Sequence, residues 1–510
     1  MFKYRQLLGV SLFAGAAMFH GLLAFSGTGH DARDKSELNR QVSAATIALK
    51  PCEVPGASEG VKEKVLCGSF DVFEDRERKS GRKIALKVVV FPATGQTKAA
   101  DPLFYIPGGP GSSATEDAPY IAQEFAKIRE QRDLVFVDQR GTGGSNPLNC
   151  DFFNPADLRS YFGEYFPLAD VRKCRQQLEP KADLKLYTTT IAADDLDDVR
   201  AALGYERINI IGGSYGTRAA QVYLKRHGPH VRAIILHGVS PTNQFMPRDF
   251  PTHTERALNG VIAECAADDA CRAAFPNLAA EAKSVLERLL RGPVEVELKR
   301  KENVRVSLSR DLVAEAVRYF LYQAGGASRL PVFIHLAAQG NFRPFAEAAL
   351  DFRQQIVATG SNGMYLSVTC AEDLPLIKPG EGERIGQNTF LGDYRLRQQR
   401  AACALWQQGK IPKDYAEPTR SDVPALILTG QWDPVTPPVY GDTAAKYLAQ
   451  SLHIVVPHGG HGFNGLNAID CLNKLIAGFI ERGTTKGLDT SCVKSISRRA
   501  FLLQLPNANQ

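Results

Sequence analysis

The stretch that decides the fold is Ile208-Asn-Ile-Ile-Gly-Gly-Ser-Tyr-Gly-Thr217, which holds the pattern Gly-x-Ser-x-Gly with Ser214 at its centre. A β-branched run precedes the glycines, and a helical pattern follows the serine to about Arg226. This context is typical of a nucleophile elbow, a strained turn whose glycines lack the Cβ atoms that would clash. The helix N-terminus favours developing negative charge on the hydroxyl. The pattern therefore predicts Ser214 as a nucleophile, in preference to the glycine-rich turn of a nucleotide-binding fold.

Short apolar runs on both sides of this turn predict a mainly parallel sheet. Each run ends in glycine or a turn, and helical patterns such as Ala193–Leu203 separate several of them. Strands that alternate with helices indicate an α/β fold with helices on both faces of the sheet. The predicted strands are Val65–Phe73, Ile84–Phe91, Leu103–Ile106, Leu134–Val137, Ile208–Ile211, Val231–Leu236, Ala425–Thr429 and His453–Val456.

A mostly helical block interrupts the sheet pattern. It includes Ala257–Phe275, Leu278–Leu290 and Asp311–Gln323, and a hairpin that pairs Val294–Leu298 with Val304–Leu308. Ligands bind at the carboxyl edge of the strands in open α/β sheets, so this insertion is predicted to form a lid over that edge. The predicted organisation is a signal peptide or anchor at 1–26, a linker and N-terminal segment at 27–60, the first part of the core at 61–240, the lid at 241–420 and the C-terminal part of the core at 421–510.

The N-terminus predicts export. Lys3 and Arg5 precede the uncharged, apolar run Leu7–Phe25, and small residues follow, as in a secretory signal. The run is almost long enough to span a bilayer, so an uncleaved anchor is the alternative, and only then would the chain contact a membrane. In both cases the rest of the chain is predicted to be periplasmic or secreted.

The cysteine content agrees with export. Ten cysteines are present and none forms a Cys-x-x-Cys pair, so the spacing of a zinc site is absent. Cysteines in an oxidising compartment normally pair, and the simplest pattern joins sequence neighbours, although sequence alone leaves the connectivity open. These pairs are Cys52–Cys67, Cys150–Cys174, Cys265–Cys271, Cys370–Cys403 and Cys471–Cys492.

The base that a serine nucleophile needs is predicted in Pro457-His-Gly-Gly-His-Gly-Phe463, a loop after the last strand. His461 is the candidate in this loop, and His458 is its rival. The acid should follow a strand between the serine and the histidine, and Asp433 does so, which gives the order Ser, Asp, His. Its carboxylate would orient the imidazole and stabilise the imidazolium. Asp442 is the alternative acid, but it falls in a helical pattern.

Glycines after Leu103–Ile106 predict an oxyanion hole. The loop Pro107-Gly-Gly-Pro-Gly-Ser112 lets backbone amides approach a negative oxygen closely. We expect the amides of Gly109 and Tyr215 to donate to the oxyanion, since Pro110 has no N–H.

The next predicted strand ends in Asp138-Gln-Arg-Gly-Thr-Gly-Gly-Ser145, a tight loop that we expect beside the same site. Asp138 and Arg140 are predicted to form a structural ion pair there rather than to act in catalysis.

Five of these motifs follow one another in a specific order: PGGPG from residue 107, DQRGTGGS from 138, GGSYGT from 212, GQWDPVTP from 430 and GGHG from 459. In this order they resemble the prolyl and tripeptidyl aminopeptidases of the α/β-hydrolase superfamily, in particular the exported branch with a C-terminal tripeptidyl-aminopeptidase-like (TAP-like) segment. The resemblance covers roughly residues 60–240 and 420–500. It implies a triad of Ser214, Asp433 and His461, release of short pieces from peptide N-termini, and no metal or other cofactor.

The resemblance also implies that acidic residues of the lid hold the free amine of the substrate. Glu372 and Asp373, in Thr369-Cys-Ala-Glu-Asp-Leu374, are the candidates, because a buried carboxylate pairs well with an ammonium group. The alternative is a solvated turn beside a Cys370–Cys403 bridge. Prolyl iminopeptidases of narrow specificity usually carry His before Gly-Gly-Pro-Gly, so Pro107 argues against a strict preference for N-terminal proline.

The sequence thus predicts a serine exopeptidase that acts, through an acyl-enzyme, on peptides with a free N-terminus. The alternative is an exported carboxylesterase or lipase with the same triad, which would not need a free α-amine. A non-catalytic binding protein on the same scaffold is disfavoured, because all the expected catalytic residues are present. A net charge of +6 over 510 residues gives no reason to expect nucleic acid as a partner.

Overall fold

The computed structural model describes residues 46–300 and 303–505, so the predicted signal or anchor at 1–26 lies outside the described residues. The β-branched and aromatic runs of the sequence form strands there, as their preference for a pleated, buried surface requires. These strands are β1 (Lys50–Pro55), β2 (Lys62–Phe73), β3 (Lys83–Phe91), β4 (Leu103–Ile106), β5 (Leu134–Val137), β6 (Ile208–Gly213), β7 (Val231–His237), β8 (Val294–Leu298), β9 (Val304–Leu308), β10 (Ala425–Gly430), β11 (Ser451–Val456), β12 (Leu466–Asn467) and β13 (Ser497–Arg498).

Helices connect most of these strands and fill the predicted lid. They are α1 (Ala114–Glu124), α2 (Ala126–Arg129), α3 (Leu168–Leu178), α4 (Thr189–Ala202), α5 (Tyr215–His227), α6 (Phe250–Ala267), α7 (Asp269–Ala274), α8 (Leu278–Leu290), α9 (Arg310–Leu321), α10 (Ala324–Ala327), α11 (Leu330–Ala338), α12 (Arg343–Thr359), α13 (Asn362–Glu372), α14 (Glu381–Gly386), α15 (Tyr394–Leu405), α16 (Pro438–Ala445) and α17 (Asp470–Arg482). None of these helices is long and apolar enough to span a bilayer.

One sheet organises the described part of the chain, with the strand order β1-β2-β3-β5-β4-β6-β7-β10-β11. The strands from β5 to β11 in this order run parallel, whereas β1, β2 and β3 form an antiparallel edge that joins β5. This is the mainly parallel α/β sheet that the sequence predicts. Strand β1 was not predicted, because its six residues include two prolines and two charged residues and lie mostly exposed at the sheet edge.

Alternate residues of the central strands pack into two hydrophobic cores, one on each face of the sheet. Along β7, Ile234 and Leu236 belong to one core, and Ala233 and Ile235 belong to the other. Residues of α4 and α5 complete the first core, and residues of α1 and α17 complete the second. Helices therefore cover both faces, as predicted.

The helical block lies between β7 and β10, where the sequence places the lid. The hairpin of β8 and β9 and helix α8 have the predicted bounds, whereas α6 begins at Phe250 rather than Ala257. Pro251 at the first turn explains this earlier start, because proline is well tolerated there. All five predicted cysteine pairs are confirmed as disulfides.

Candidate active site

Ser214 occupies a strained turn between β6 and α5, with φ of 54° and ψ of −123°. Its flanking glycines permit the turn: a Cβ on Gly216 would lie 2.0 Å from the carbonyl oxygen of Ile106, and a Cβ on Gly212 would lie 2.4 Å from that of Gly216. Strained backbone of this kind persists only where the surrounding structure enforces it, and it is concentrated at functional sites. The turn therefore has the geometry of the predicted nucleophile elbow.

Asp433 and His461 lie together, as the sequence predicts. Asp433 follows β10 and is fully buried, and its Oδ2 is 2.8 Å from His461 Nδ1. The amides of Val435 and Thr436 each donate to Asp433 Oδ1 at 2.8 Å. Burial alone would raise the pKa of Asp433, but His461 and these two amides outweigh burial and lower the pKa to about 2. Asp433 is therefore an anion at neutral pH, able to fix the imidazole.

The end of β7 connects the histidine to the serine. The amide of Ser214 donates to the carbonyl oxygen of His237 at 2.9 Å. The next residue, Gly238, has φ of 63°, and a Cβ there would lie 3.1 Å from His461 Cε1. One strand end thus contacts both the nucleophile backbone and the imidazole.

Thr436 is a site residue that the sequence reasoning missed. Its Oγ1 donates to Asp433 Oδ2 at 2.7 Å and also lies 2.9 Å from His461 Nδ1. The residue belongs to the quoted motif Gly430–Pro437, three positions after the acid, but nothing in the local pattern separates it from the other turn residues. The hydroxyl braces the Asp433–His461 pair on one side.

The two rival residues contact other partners. His458 Nδ1 lies 2.7 Å from Glu264 Oε1 on α6 and so ties the histidine loop to the lid. Asp442 Oδ1 lies 2.9 Å from His453 Nδ1, and 63% of its side chain is exposed. The structure thus joins Asp433 to His461 and leaves the rivals in surface or packing contacts.

The glycine loop at 107–112 lies against the nucleophile. A Cβ on Gly108 would lie 3.1 Å from Ser214 Cβ, and Gly109 and Gly111 have φ of 110° and 113°. The absence of side chains on these glycines therefore lets the backbone of the loop lie against the serine. That the amides of Gly109 and Tyr215 hold the oxyanion stays a prediction.

The ion pair predicted between Asp138 and Arg140 is wrong. Arg140 instead pairs with Asp195 on α4, with Nε 2.6 Å from Oδ2 and Nη2 2.9 Å from Oδ1. The fully buried Asp138 accepts hydrogen bonds from Ser113 Oγ and from both the amide and the hydroxyl of Thr115. Because these donors directly follow the glycine loop, Asp138 fixes that loop to the sheet while Arg140 points away from it.

Glu372 and Asp373 are fully buried at the end of α13, so the alternative of a solvated turn is wrong. Glu372 accepts hydrogen bonds from the amide and hydroxyl of Thr189 at 2.6 Å and from the hydroxyl of Tyr415. Burial raises the pKa of Glu372 to about 6, although these hydrogen bonds oppose the rise. That Glu372 and Asp373 bind the substrate amine stays a prediction.

Only one of the two carboxylate oxygens of Asp373 accepts hydrogen bonds from the described residues. Its Oδ1 accepts from Arg218 Nη1 at 2.7 Å and from the amide of Met246 at 2.9 Å. Its Oδ2 is buried and has no hydrogen-bond partner among residues 46–300 and 303–505. This oxygen is open to an additional donor.

The lid is bonded to both loops of the site. At the end of α9, the carbonyl oxygen of Tyr322 accepts from the amide of Gly462 at 2.7 Å, directly after His461. At the start of α13, the amide of Ser361 donates to the carbonyl oxygen of Gly111 at 3.0 Å. The lid therefore positions the histidine loop and the glycine loop together.

Asp197, His227 and His230 form a further cluster with the spacing of metal ligands. Asp197 already accepts from Arg200 Nε at 2.6 Å and from Tyr223 at 2.7 Å, and His230 Nδ1 lies 2.8 Å from the same carboxylate. The arginine and the hydrogen bonds satisfy the carboxylate without an ion, so we assign no metal role to these residues.

Comparison with known proteins finds two family models that match separate parts of the chain. The model described as "alpha/beta hydrolase fold" matches residues 101–274, which include the elbow and the glycine loop. The model described as "TAP-like protein" matches residues 388–492, which include Asp433 and His461. The two matches lie on either side of most of the lid.

Several curated proteins are similar in sequence. Serine protease Hip1 of Mycobacterium tuberculosis is 26% identical, over 88% of this chain and 91% of that protein. A tripeptidyl aminopeptidase of Streptomyces lividans is 28% identical, over 46% of this chain and 47% of that protein. Carboxylesterase B of Mycobacterium tuberculosis is 36% identical, over 40% of this chain and 42% of that protein.

Proposed function

Because this chain is an α/β-hydrolase with a TAP-like C-terminal segment, we propose that it is a serine peptidase that releases residues or short peptides from free peptide N-termini. The observation that carries the proposal is the hydrogen-bonded pair of His461 and the buried Asp433, which lies at the strand end that also holds the elbow of Ser214. The similarity to Hip1 over most of both chains, and to a tripeptidyl aminopeptidase over about half, supports peptides as the substrate class.

The proposed chemistry assigns one role to each group. Because His461 Nδ1 faces Asp433, its Nε2 is the nitrogen available to take the proton from Ser214 Oγ as that oxygen attacks the peptide carbonyl. The amides of Gly109 and Tyr215 hold the resulting oxyanion. His461 then gives the proton to the leaving amine, and a water molecule hydrolyses the acyl-enzyme by the same route in reverse.

Recognition of the free amine is assigned to Glu372 and Asp373. The free Oδ2 of Asp373 supports this assignment, since a buried carboxylate oxygen without a donor is a good acceptor for an ammonium N–H. Glu372 adds a second buried carboxylate at the same end of α13. A substrate whose amine is capped would lose this pairing.

Export is part of the proposal. Five disulfides join the described cysteines in pairs, and such bridges persist in oxidising compartments. We therefore expect the protein to act in the periplasm or outside the cell.

A carboxylesterase is the second candidate. The observation that favours it is the 36% identity to carboxylesterase B over 40% of this chain. An ester substrate would use the same nucleophile, base and oxyanion hole without any contact to an amine.

The two candidates differ in their need for a free amine. Initial rates would be compared on Ala-, Pro- and Ala-Ala-Phe-aminomethylcoumarin, on the N-acetyl forms of these peptides and on p-nitrophenyl butyrate. The peptidase predicts rapid cleavage of the free peptides and a loss of at least about tenfold on capping, because a buried charged hydrogen bond is removed. Rapid ester cleavage without peptide cleavage would favour the esterase and contradict the peptidase.

A further inference from the structure

Two arginines of the lid lie buried without an acidic partner. Arg318 on α9 and Arg395 on α15 are each 3% exposed. Neither forms an ion pair with a carboxylate in the part of the chain that the structure describes. A guanidinium group is always charged in proteins, and its burial is costly unless hydrogen bonds and an opposite charge compensate it.

Several donors of these two groups are unused. Arg318 Nη1 donates to the hydroxyl of Tyr322 at 2.8 Å, and Arg395 Nη2 donates to the hydroxyl of Tyr365 at 3.1 Å. Arg318 Nε and both Nε and Nη1 of Arg395 are buried, and they have no hydrogen-bond partner among the described residues. The lid interior therefore holds three guanidinium nitrogens, from two cations, whose N–H groups have no hydrogen-bond acceptor among the described residues.

The neighbouring carboxylates of Glu315 and Asp373 each pair with another arginine through one oxygen, and their second oxygens have no hydrogen-bond partner among the described residues. Glu315, on the same helix as Arg318, pairs through Oε2 with the buried Arg353, whose Nε and Nη2 lie at 3.0 Å and 2.8 Å. Asp373 pairs with Arg218. Arg318 and Arg395 interact electrostatically with the Glu315 carboxylate, which already pairs with Arg353, so three guanidinium groups share the charge of this one carboxylate.

Aromatic rings hold both guanidinium groups in place. Arg395 lies 3.8 Å from the ring centre of Tyr165, and Arg318 lies 5.3 Å from that of Phe250 and 5.7 Å from that of Phe352. A guanidinium that stacks on a ring keeps its N–H groups in its own plane, free for a planar acceptor such as a carboxylate.

A single side chain, that of Tyr322, separates Arg318 from His461, the proposed base. Tyr322, whose hydroxyl accepts from Arg318, packs its ring edge-on against His461 with the ring centres 5.0 Å apart. Because this contact links Arg318 to His461, a substrate held at Ser214 is the molecule that we expect to supply an anionic group.

We propose that Arg318 and Arg395 form an anion subsite that binds a carboxylate of the substrate. The carboxylate is either an acidic side chain near the scissile bond or the free C-terminus of a short peptide. This inference rests on the proposed hydrolase activity at Ser214, and it specifies which substrates that site prefers.

The test uses matched substrate pairs that differ in one charge. Ala-Ala-aminomethylcoumarin peptides that also carry Glu or Gln, introduced at each position in turn, test whether an acidic side chain supplies the carboxylate. Short peptides with a free or an amidated C-terminus test whether the C-terminus supplies it. The monoester of p-nitrophenol with glutaric acid, compared with p-nitrophenyl butyrate, measures the same preference if the enzyme acts on esters only.

The wild-type enzyme is expected to favour the charged member of at least one pair by at least about tenfold in kcat/KM. Arg318→Gln and Arg395→Gln should each reduce this ratio several-fold. Arg397 lies on α15, as Arg395 does, but 60% of its side chain is exposed. Arg397→Gln should therefore leave the ratio unchanged. Labelling of Ser214 by a fluorophosphonate establishes that each variant is folded and active.

Equal rates on the charged and neutral members of every pair would overturn the subsite without any variant being made. An unchanged ratio in both arginine variants, with normal fluorophosphonate labelling, would also overturn it. Failure of the wild-type enzyme to react with the fluorophosphonate would instead contradict the proposed function, so the two failures are distinguishable.

Discussion

At the scale of single residues, the site depends on side chains that hold Asp433 and His461 rather than on the reacting atoms alone. Thr436, Val435 and His461 together supply four hydrogen-bond contacts to the Asp433 carboxylate, counting the two amides, the hydroxyl and the imidazole. The motif order predicted Ser214, Asp433 and His461 as the triad, because each stands at a fixed place after a strand. It did not identify Thr436, because a hydroxyl in a turn has no pattern of its own.

Replacing Thr436 with Val should lower kcat about tenfold with little change in KM. The variant removes the hydroxyl that contacts both Asp433 Oδ2 and His461 Nδ1 but preserves the shape of the side chain. Steady-state kinetics on the best peptide substrate measures the effect. Thr436→Ser retains the hydroxyl and should recover most of the lost rate, so equal kcat values for the Val and Ser variants would contradict the positioning role.

Glu372 should make the stability of the protein depend on pH. Its pKa rises from an ordinary value of 4.5 to about 6 on folding, so the folded state holds this proton more tightly than the unfolded state. The stabilisation is present below pH 4.5 and is lost as the pH rises through 6, a change of about 2 kcal/mol.

Urea unfolding of Glu372→Gln at pH 4.5 and pH 7 measures this dependence. The variant should lose less stability than the wild-type protein over this interval, by about 2 kcal/mol. Glu383→Gln, on an exposed part of α14, should behave as the wild-type protein does. A pH dependence that is identical in all three proteins would show that Glu372 does not titrate as assigned.

At the scale of secondary-structure elements, the elbow joins β6 to α5 so closely that a side chain at Gly212 or Gly216 would clash with the neighbouring backbone. The sequence predicted this junction well, because glycine, serine and glycine between a strand and a helix leave few alternatives. It predicted the hairpin of β8 and β9 and helix α8 equally well, since their periodic patterns are continuous. It could not predict which lid helices meet, and therefore did not bring Arg318 and Arg395 together.

Gly216→Ala should destabilise the protein by about 3 kcal/mol, although alanine favours a helix more than glycine does. The added Cβ would lie 2.0 Å from the carbonyl oxygen of Ile106, so β4 and α5 would have to separate. Gly213→Ala is the matched control, since a Cβ there would have no atom within 4 Å, and its stability should change by less than about 1 kcal/mol. Urea unfolding compares the two, and similar stabilities would mean that the elbow is not closely packed.

At the scale of the whole molecule, the candidate site lies where loops that follow sheet strands are hydrogen-bonded to the helical insertion. The end of α9 bonds to the histidine loop, and the start of α13 bonds to the glycine loop. Patterns along the sequence predicted that a helical insertion interrupts the sheet strands, because the period of the apolar residues changes there. They did not predict these contacts, which join residues more than a hundred positions apart.

The disulfides should differ in their effect on stability. Cys370–Cys403 joins α13 to α15 across a separation of 33 residues, whereas Cys265–Cys271 spans only 6. By the entropy of loop closure, replacing the first pair with serines should cost about 4 kcal/mol and replacing the second about 2 kcal/mol. Thermal and urea unfolding of the two double variants measures the difference, and a larger loss from the short pair would contradict the entropic explanation.

The most direct test of the central claim is the site of reaction with a fluorophosphonate, mapped by mass spectrometry of the intact protein and its peptides. The probe reacts with a serine that a histidine activates, so one adduct is expected, on Ser214. Ser214→Ala should carry no adduct, and His461→Ala and Asp433→Asn should label at least about a hundredfold more slowly. An adduct on a different residue, or equal labelling of the Ser214→Ala protein, would contradict the assignment of the nucleophile.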